Sequence, residues 1–401
     1  MTTSLAMMIL LGLLTSYLFT RAKLPGLLGM LILGIVLGPH VLSWLEPDIL
    51  NLSADLRKIA LIIILLRAGL GISREDLRRV GPAAIRMSCI PGLVEGFTVA
   101  FVATWLFGLT FIEGGILGFI LAAVSPAVVV PQMLDFMERG MGTDKGVPTL
   151  ILAGSSIDDV FAITIFTTFL GLYGDSRVNI GLQVLSIPVS IVLGILLGLA
   201  MGLIMVGLFK RFPVRDTKKV LIILGSAILL TSIEAALKNT LEVAGLLGVM
   251  TIGFILLEKL PKVAKRQALK FNKIWIFAEI LLFVLVGAQV NITVAFDAGL
   301  KGLLLIFTGL VGRSIGVLIS TLKTNLNFKE RLFCVIAYIP KATVQAAIGA
   351  IPLGLGVPSG ELILAIAVLS ILVTAPLGAI GIKISAPRLL RVDQNHTQSA
   401  H

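Results

Sequence analysis

Thirteen apolar windows of about 20 residues follow one another along this chain with short polar joints between them. They lie at 4–20, 26–43, 57–73, 82–107, 112–137, 147–172, 183–209, 219–237, 243–258, 273–290, 299–321, 330–353 and 361–384. Lipid offers no partner to backbone N–H and C=O groups, so only helices or a closed barrel can satisfy them there. Windows this long suit helices. The reading is an all-α polytopic membrane protein with about 13 transmembrane helices. A mean hydropathy of +1.04, with 57% hydrophobic and 14% charged residues, excludes a soluble domain. The first window has no basic n-region and no small-residue cleavage site, so it reads as a retained helix rather than a signal peptide.

The joints alternate in basic content. One set holds Arg21 and Lys23; Arg74, Arg78 and Arg79; Arg139 and Lys145; the Lys210–Lys219 group; the Lys259–Lys273 group; Lys323, Lys329 and Arg331; and Lys383, Arg388 and Arg391. Together these are 24 of the 33 Lys and Arg residues, whereas the opposite joints carry only Arg57, Lys58, Arg177, Lys238 and Lys301. By the positive-inside rule the N-terminus is outside and the C-terminus cytoplasmic. The net charge of +11 is then a topology signal and not a nucleic-acid footprint. Cys89 and Cys334 lie in apolar runs and offer neither a disulfide framework nor a thiolate metal site.

Few ionisable residues fall inside windows: Arg67, Glu95, Asp158, Asp159, Glu234, Glu279, Arg313 and Lys341, with Arg86 near a window end. Asp158 and Asp159 stand side by side in LILAGSSIDDVFAITIFTTFLGL. Each costs roughly 3 kcal/mol or more to insert, and a short side chain cannot snorkel, so the pair marks an ion or proton pathway. Consecutive helix positions are about 100° apart, so both can border one small cavity without sharing a face. Arg67 and Glu234 read as snorkelling or locally paired side chains. Glu279 either lines the cation path or caps a helix contact.

An internal repeat points to a carrier. LLRAGLGIS at 65–73 resembles FVLVGAQVN at 283–291, and the 218-residue offset between Gly69 and Gly287 carries Glu95 onto Arg313. An odd number of spans separates the halves, so the repeats are inverted and their matched elements approach each other near the midplane. A Glu95–Arg313 ion pair between the repeats is expected. Two segments also read as broken helices at matching places. AAVSPAVVVPQM at 122–133 carries Ser125, Pro126 and Pro131 in mid-span, and AYIPKATVQAAIG at 337–349 carries Pro340. Lys341 follows Pro340, where its ammonium is expected to compensate the partial charges of a helix end.

SPAVVVP at 125–131, DKGVPTL at 144–150, GSSIDD at 154–159 and PKATVQAAIG at 340–349 resemble the monovalent cation/proton antiporters. The nearest branch is solute carrier family 9 subfamily B, the NHA-type sodium/proton antiporters, and a bacterial member is expected. The resemblance implies a homodimer of thirteen-helix protomers whose inverted repeats contain two crossed, discontinuous helices. It implies one membrane domain over 1–385, with a dimerisation part at about 1–73 and 183–258 and an ion-transport core at about 82–172 and 299–384. A polar cytoplasmic tail at 386–401 follows. By the same resemblance Asp159 is the main cation and proton carboxylate, Asp158 its neighbour, and Glu95 with Arg313 an ion pair of this branch. The chain departs from similar electrogenic bacterial relatives, which place a lysine near Arg313 and an acid where Pro126 stands.

Chemistry leads to the same mechanism. Two adjacent carboxylates in a low-dielectric site titrate as a coupled pair, and a proton and a hard cation compete for their oxygens. Asp159, with Asp158, Ser156 and backbone carbonyls near Ser125 and Pro126, makes an oxygen set for Na⁺ or Li⁺. A His relay is excluded, because His40 sits at a span end and His396 and His401 lie in the tail. With Arg313 held by Glu95, no free basic group balances a second proton, and electroneutral exchange is expected. No enzyme activity and no cofactor are expected. The partners are Na⁺ or Li⁺, H⁺, the bilayer of a plasma (inner) membrane and a second copy of the chain, with no nucleic acid. A membrane aspartyl protease needs its two acids facing each other from different helices, and these are adjacent. A channel fits inverted, broken repeats less well than a carrier does. The main alternative is a sodium-coupled symporter of a small organic solute with the same architecture.

Overall fold

The structure, a computed structural model, describes residues 2–71, 74–173, 180–237 and 243–391. Arg177, Lys238, His396, His401 and most of the 386–401 tail lie outside the described residues. The side chains of Arg79, Pro131 and Ser156 do too.

Among the described residues every regular element is a helix. In order these are α1 (Thr2–Arg21), α2 (Gly26–Leu37), the short α3 (Pro47–Asn51), α4 (Ser53–Gly71), α5 (Arg74–Phe107), α6 (Phe111–Leu121), α7 (Pro126–Glu138) and α8 (Val147–Tyr173). There follow α9 (Ile180–Arg211), α10 (Asp216–Leu237), α11 (Gly245–Lys259), α12 (Pro261–Ala288), α13 (Ile292–Thr321), α14 (Phe328–Ala337), α15 (Thr343–Ile348), α16 (Ile351–Gly354) and α17 (Gly360–Leu389). Each of the thirteen apolar windows holds helix over most of its described residues. Among the described residues eight helices are long and apolar enough to span a membrane, and shorter apolar helices accompany them. The window at 26–43 ends its helix early, at Leu37, because Gly38 and Pro39 stop it.

Two windows are broken where the prolines lead one to expect it. The span at 112–137 divides into α6 and α7 across Ala122–Ser125, and the span at 330–353 divides into α14 and α15 across Tyr338–Ala342. Pro126 is the first residue of α7, where its missing N–H costs nothing. Pro340 lies inside the second break.

The repeat extends well beyond the sequence resemblance. The backbone leaves helical geometry at Gly81 inside α5 and again at Gly299 inside α13, 218 residues later. A capping box opens α6 (Thr110 with Glu113), and another opens α14 (Asn327 with Glu330), at an offset of 217. Gly69 packs its Cα against the backbone at Met250, and Gly287 packs against the backbone at Leu31; a Cβ at either position would collide with a carbonyl. Such small residues let helix backbones approach closely in lipid.

The chain groups into two compact units. One comprises Met1–Asn51, Arg78–Tyr173 and Phe283–His401, and the other Leu52–Leu77 and Gly174–Leu282. The first holds both broken helices with α5, α8, α13 and α17, and here Met1–Asn51 groups with them rather than with 183–258. In the second, α11 packs against α9 and α4 through Gly194, Gly198, Gly248 and Gly253.

A candidate cation site at the crossing of two broken helices

α8 runs unbroken through the core and carries Asp158 and Asp159, which are 1% and 3% exposed. The Asp158 Oδ2 accepts the backbone N–H of Val124 in the first break at 2.9 Å and an Arg313 Nη2 proton at 2.7 Å. Among the described residues no cation pairs with Asp159. Its Oδ1, and that of Asp158, are buried without a hydrogen-bond partner. Gly92 of α5 faces the Asp158 Oδ1, where a Cβ would come within 3.1 Å.

Glu95, one turn beyond Gly92, lies on the same helix and is fully buried. Arg313 Nη1 donates to its Oε2 at 2.7 Å, and Lys341 Nζ donates to the same oxygen at 2.6 Å. Glu95 and Arg313 therefore meet across the repeats, within a larger network than a simple pair. Arg313 also donates to the Ala122 carbonyl at the end of α6, and its guanidinium lies 5.1 Å from the centre of the Tyr338 ring. Such buried charges are tolerable only when each finds partners.

The two breaks cross. The backbone N–H of Ser125 donates to the Pro340 carbonyl at 2.8 Å. Gln345, on α15, reaches back to the first break, where its side-chain N–H groups donate to the carbonyls of Ile120 at 3.0 Å and Ala123 at 2.9 Å, with a longer contact to Leu121. The freed carbonyls of α6 are thus met by Gln345 and Arg313. The Lys341 ammonium, expected to serve a helix end, instead lies on Glu95, while the Lys341 backbone N–H donates to Thr374 Oγ1 of α17 at 2.9 Å.

Among the described residues the hydroxyls of Ser125 and Thr343 in the two breaks or at their ends, the Tyr338 hydroxyl and the Gln345 Oε1 are also buried with no hydrogen-bond partner. Buried polar atoms normally find one. Oxygens of this kind are what a hard cation prefers as ligands. Among the described residues no group of three His, Cys, Asp or Glu side chains is placed to hold one metal ion. Ser156 sits on α8 two residues before Asp158, but its side chain lies outside the described residues.

The remaining intramembrane charges are elsewhere. Arg67 Nε donates to Asn272 Oδ1 at 2.7 Å, its guanidinium lies over Trp275, and Glu279 is its electrostatic neighbour, all within the second unit. Glu234 accepts the Gly245 N–H at the start of α11, a local pairing as read from the sequence. Sequence reading gave no role to Gln345, Thr374 or Tyr338. Gln345 had a usable signal, being a polar side chain inside an apolar span. Thr374 had none, since threonine is ordinary in such helices.

Residues 6–386 match the family model described as sodium/hydrogen exchanger, transmembrane. Sodium/hydrogen exchanger 9B2 of Mus musculus is 36% identical over 406 residues, covering 94% of this chain and 71% of that one. The Homo sapiens 9B2 protein is 37% identical over 399 residues, covering 93% and 71%. Sodium/hydrogen exchanger 9B1 of Homo sapiens is 34% identical over 391 residues, covering 92% and 73%. In fold the chain is similar to the sodium proton antiporter MjNhaP1 from Methanocaldococcus jannaschii at pH 8, with a TM-score of 0.85 at 22% identity over 96% of this chain and 97% of that one. With its multi-pass helical fold, its inverted repeats and its crossed broken helices, this chain belongs to the transmembrane sodium/hydrogen exchanger family.

Proposed function

We propose that this protein exchanges Na⁺ or Li⁺ for H⁺ across the membrane by alternating access, with cation and proton competing for Asp158 and Asp159. The observation that carries the reading, beside the family, is the charge of the buried network. Three carboxylates (Glu95, Asp158, Asp159) face two cations (Arg313, Lys341), which leaves one negative charge, and Asp159 is the member without a basic partner among the described residues. One Na⁺ or one H⁺ neutralises that charge equally well. A site that crosses the low-dielectric core only when neutral carries either ion but never returns empty, which makes the exchange obligatory and electroneutral.

Asp159 is the exchanging carboxylate, and Asp158 shapes the site while anchoring the first break. Ser156, Ser125, Thr343 and the leftover oxygens nearby supply further ligands. Glu95, Arg313 and Lys341 fix the charge of the site. The sodium-coupled symporter finds no support in a family of exchangers. The proposal includes a homodimer with its dimerisation part at about 1–73 and 183–258. Exposed apolar side chains on α1 (Leu10, Tyr17) and α9 (Val192, Ile204) support it, since they need lipid or a second copy to cover them. It also includes a plasma (inner) membrane with the N-terminus outside, supported by the basic joints.

The test is cation-induced proton movement in proteoliposomes with an imposed pH gradient and a clamped potential. Na⁺ or Li⁺ collapses the gradient through the natural chain and not through Asp159→Asn. An equal response from a folded Asp159→Asn protein would overturn the assignment.

A further inference from the structure

We propose that the basic end of the core holds a binding site for the headgroup of an anionic phospholipid. A cavity of about 380 Å³ opens between the start of α14 and the end of α17, lined by Asn327, Phe328 and Lys329 on one side and Arg388, Leu389 and Arg391 on the other. Its volume is that of a small-molecule site, roughly 300–1,000 Å³. Among the described residues three cations line it and no acid does.

These cations lack partners in a neighbourhood where others have them. Arg139 is paired with Asp135, Lys145 with Glu330, and Arg331 donates to the carbonyls of Leu326, Leu322 and Thr324. Among the described residues Lys329, Arg388 and Arg391 have no carboxylate within ion-pair distance. Glu330, next to Lys329 in sequence, is buried and engaged by Lys145 and by the Asn327 N–H, and Asp393, two residues beyond Arg391, lies outside the described residues. An anion would complement these three charges. Phe328, 73% exposed, and Leu389 lie beside the cations, and this pairing of apolar surface with positive charge fits a headgroup attached to acyl chains better than a free phosphate. Basic pockets between transmembrane helices at the cytoplasmic surface accept such headgroups.

The position couples the site to the crossing. α14 runs from this cavity into the second break, and α17 carries Thr374, which holds the Lys341 backbone in that break. The Arg391 carbonyl accepts the Gly142 N–H at 2.7 Å, which ties the end of α17 to the turn between α7 and α8. A headgroup bridging Lys329 to Arg388 and Arg391 clamps α14 to α17 and stiffens the second break.

The experiment follows thermal unfolding of the full-length protein in detergent on adding phosphatidylglycerol, phosphatidylcholine or inorganic phosphate. Phosphatidylglycerol is expected to raise the Tm by roughly 3 °C or more at saturation, and the other two to do little. The triple variant Lys329→Gln, Arg388→Gln, Arg391→Gln loses most of that shift. Arg388→Lys with Arg391→Lys keeps it, and so does the equal charge loss Lys259→Gln, Lys262→Gln, Lys265→Gln. If the triple variant does not fold, Arg388→Gln alone is read in its place and shows a reduced shift. An undiminished shift in the triple variant, or an equal loss in the Lys259 set, overturns the site. A shift of the same size with inorganic phosphate overturns the lipid assignment.

Discussion

The two broken helices begin alike and end differently. α6 and α14 each open on a capping box, Thr110 with Glu113 and Asn327 with Glu330, and each glutamate has a second bond, to Ser359 and Lys145 respectively. At the breaks the matched backbone amides are Val124 and Lys341, and each is held from the continuous helix of its own half, α8 or α17. The holder is a carboxylate, Asp158, in the first half and a hydroxyl, Thr374, in the second. One structural requirement is met twice, but only once with charge. Glu95 and Arg313, matched across the same repeat, carry opposite signs. The fold is thus nearly symmetric, its electrostatics are not, and the proposed ion site lies on the side with the acids.

The largest effect tests the shared hub. Glu95→Ala leaves Lys341 with no acceptor and Arg313 with one carboxylate fewer, so it costs about 3–5 kcal/mol and is expected to abolish folded, monodisperse protein in detergent chromatography. A charge swap of Glu95 and Arg313 is not a clean test, because Arg313 also binds Asp158 and the swap would set two acids together. Next is Gln345→Leu, which leaves the Ile120 and Ala123 carbonyls without donors. A loss of about 2–4 kcal/mol is expected, read as a lower thermal midpoint, and an unchanged midpoint would remove Gln345 from the account.

Thr374→Val orphans a single amide in the second break and costs about 1–3 kcal/mol in the same assay while the ion site keeps its charge. Sodium-driven proton movement then continues. The converse change, Asp158→Thr, preserves an acceptor for Val124 but removes charge, and transport by a folded protein is expected to fall at least tenfold. If Thr374→Val stops transport as fully as Asp158→Thr, the electrostatic distinction between the breaks is wrong. The smallest effects belong to the matched starts. Thr110→Ala and Asn327→Ala each cost about 1 kcal/mol, and a large inequality between them would break the likeness of the two helices.

Much of this was legible in the residues. Hydropathy located the apolar helices, eight of them long enough to span a membrane among the described residues, because lipid permits only internally bonded backbone. The Asp158–Asp159 pair, both breaks and the Glu95–Arg313 meeting followed from insertion cost, proline and a repeat offset. The destination of Lys341 did not follow, since a long flexible side chain can reach either a helix end or a carboxylate brought near only by tertiary packing. Thr374 was hidden because its role lies in a backbone group that the break exposes; Gln345, a polar residue in an apolar span, stood out, but its carbonyl partners did not. The capping boxes were readable from their spacing and would have doubled the evidence for the repeat.

The central claim is that one residual negative charge is neutralised alternately by one cation and one proton. The direct measurement is Na⁺-driven proton exchange in proteoliposomes at fixed ion gradients while the membrane potential is stepped with a potassium ionophore. The account predicts a zero-flux point fixed by the Na⁺ and H⁺ gradients alone and unmoved by voltage. A zero-flux point that shifts with the imposed potential would mean net charge moves in each cycle and would contradict it.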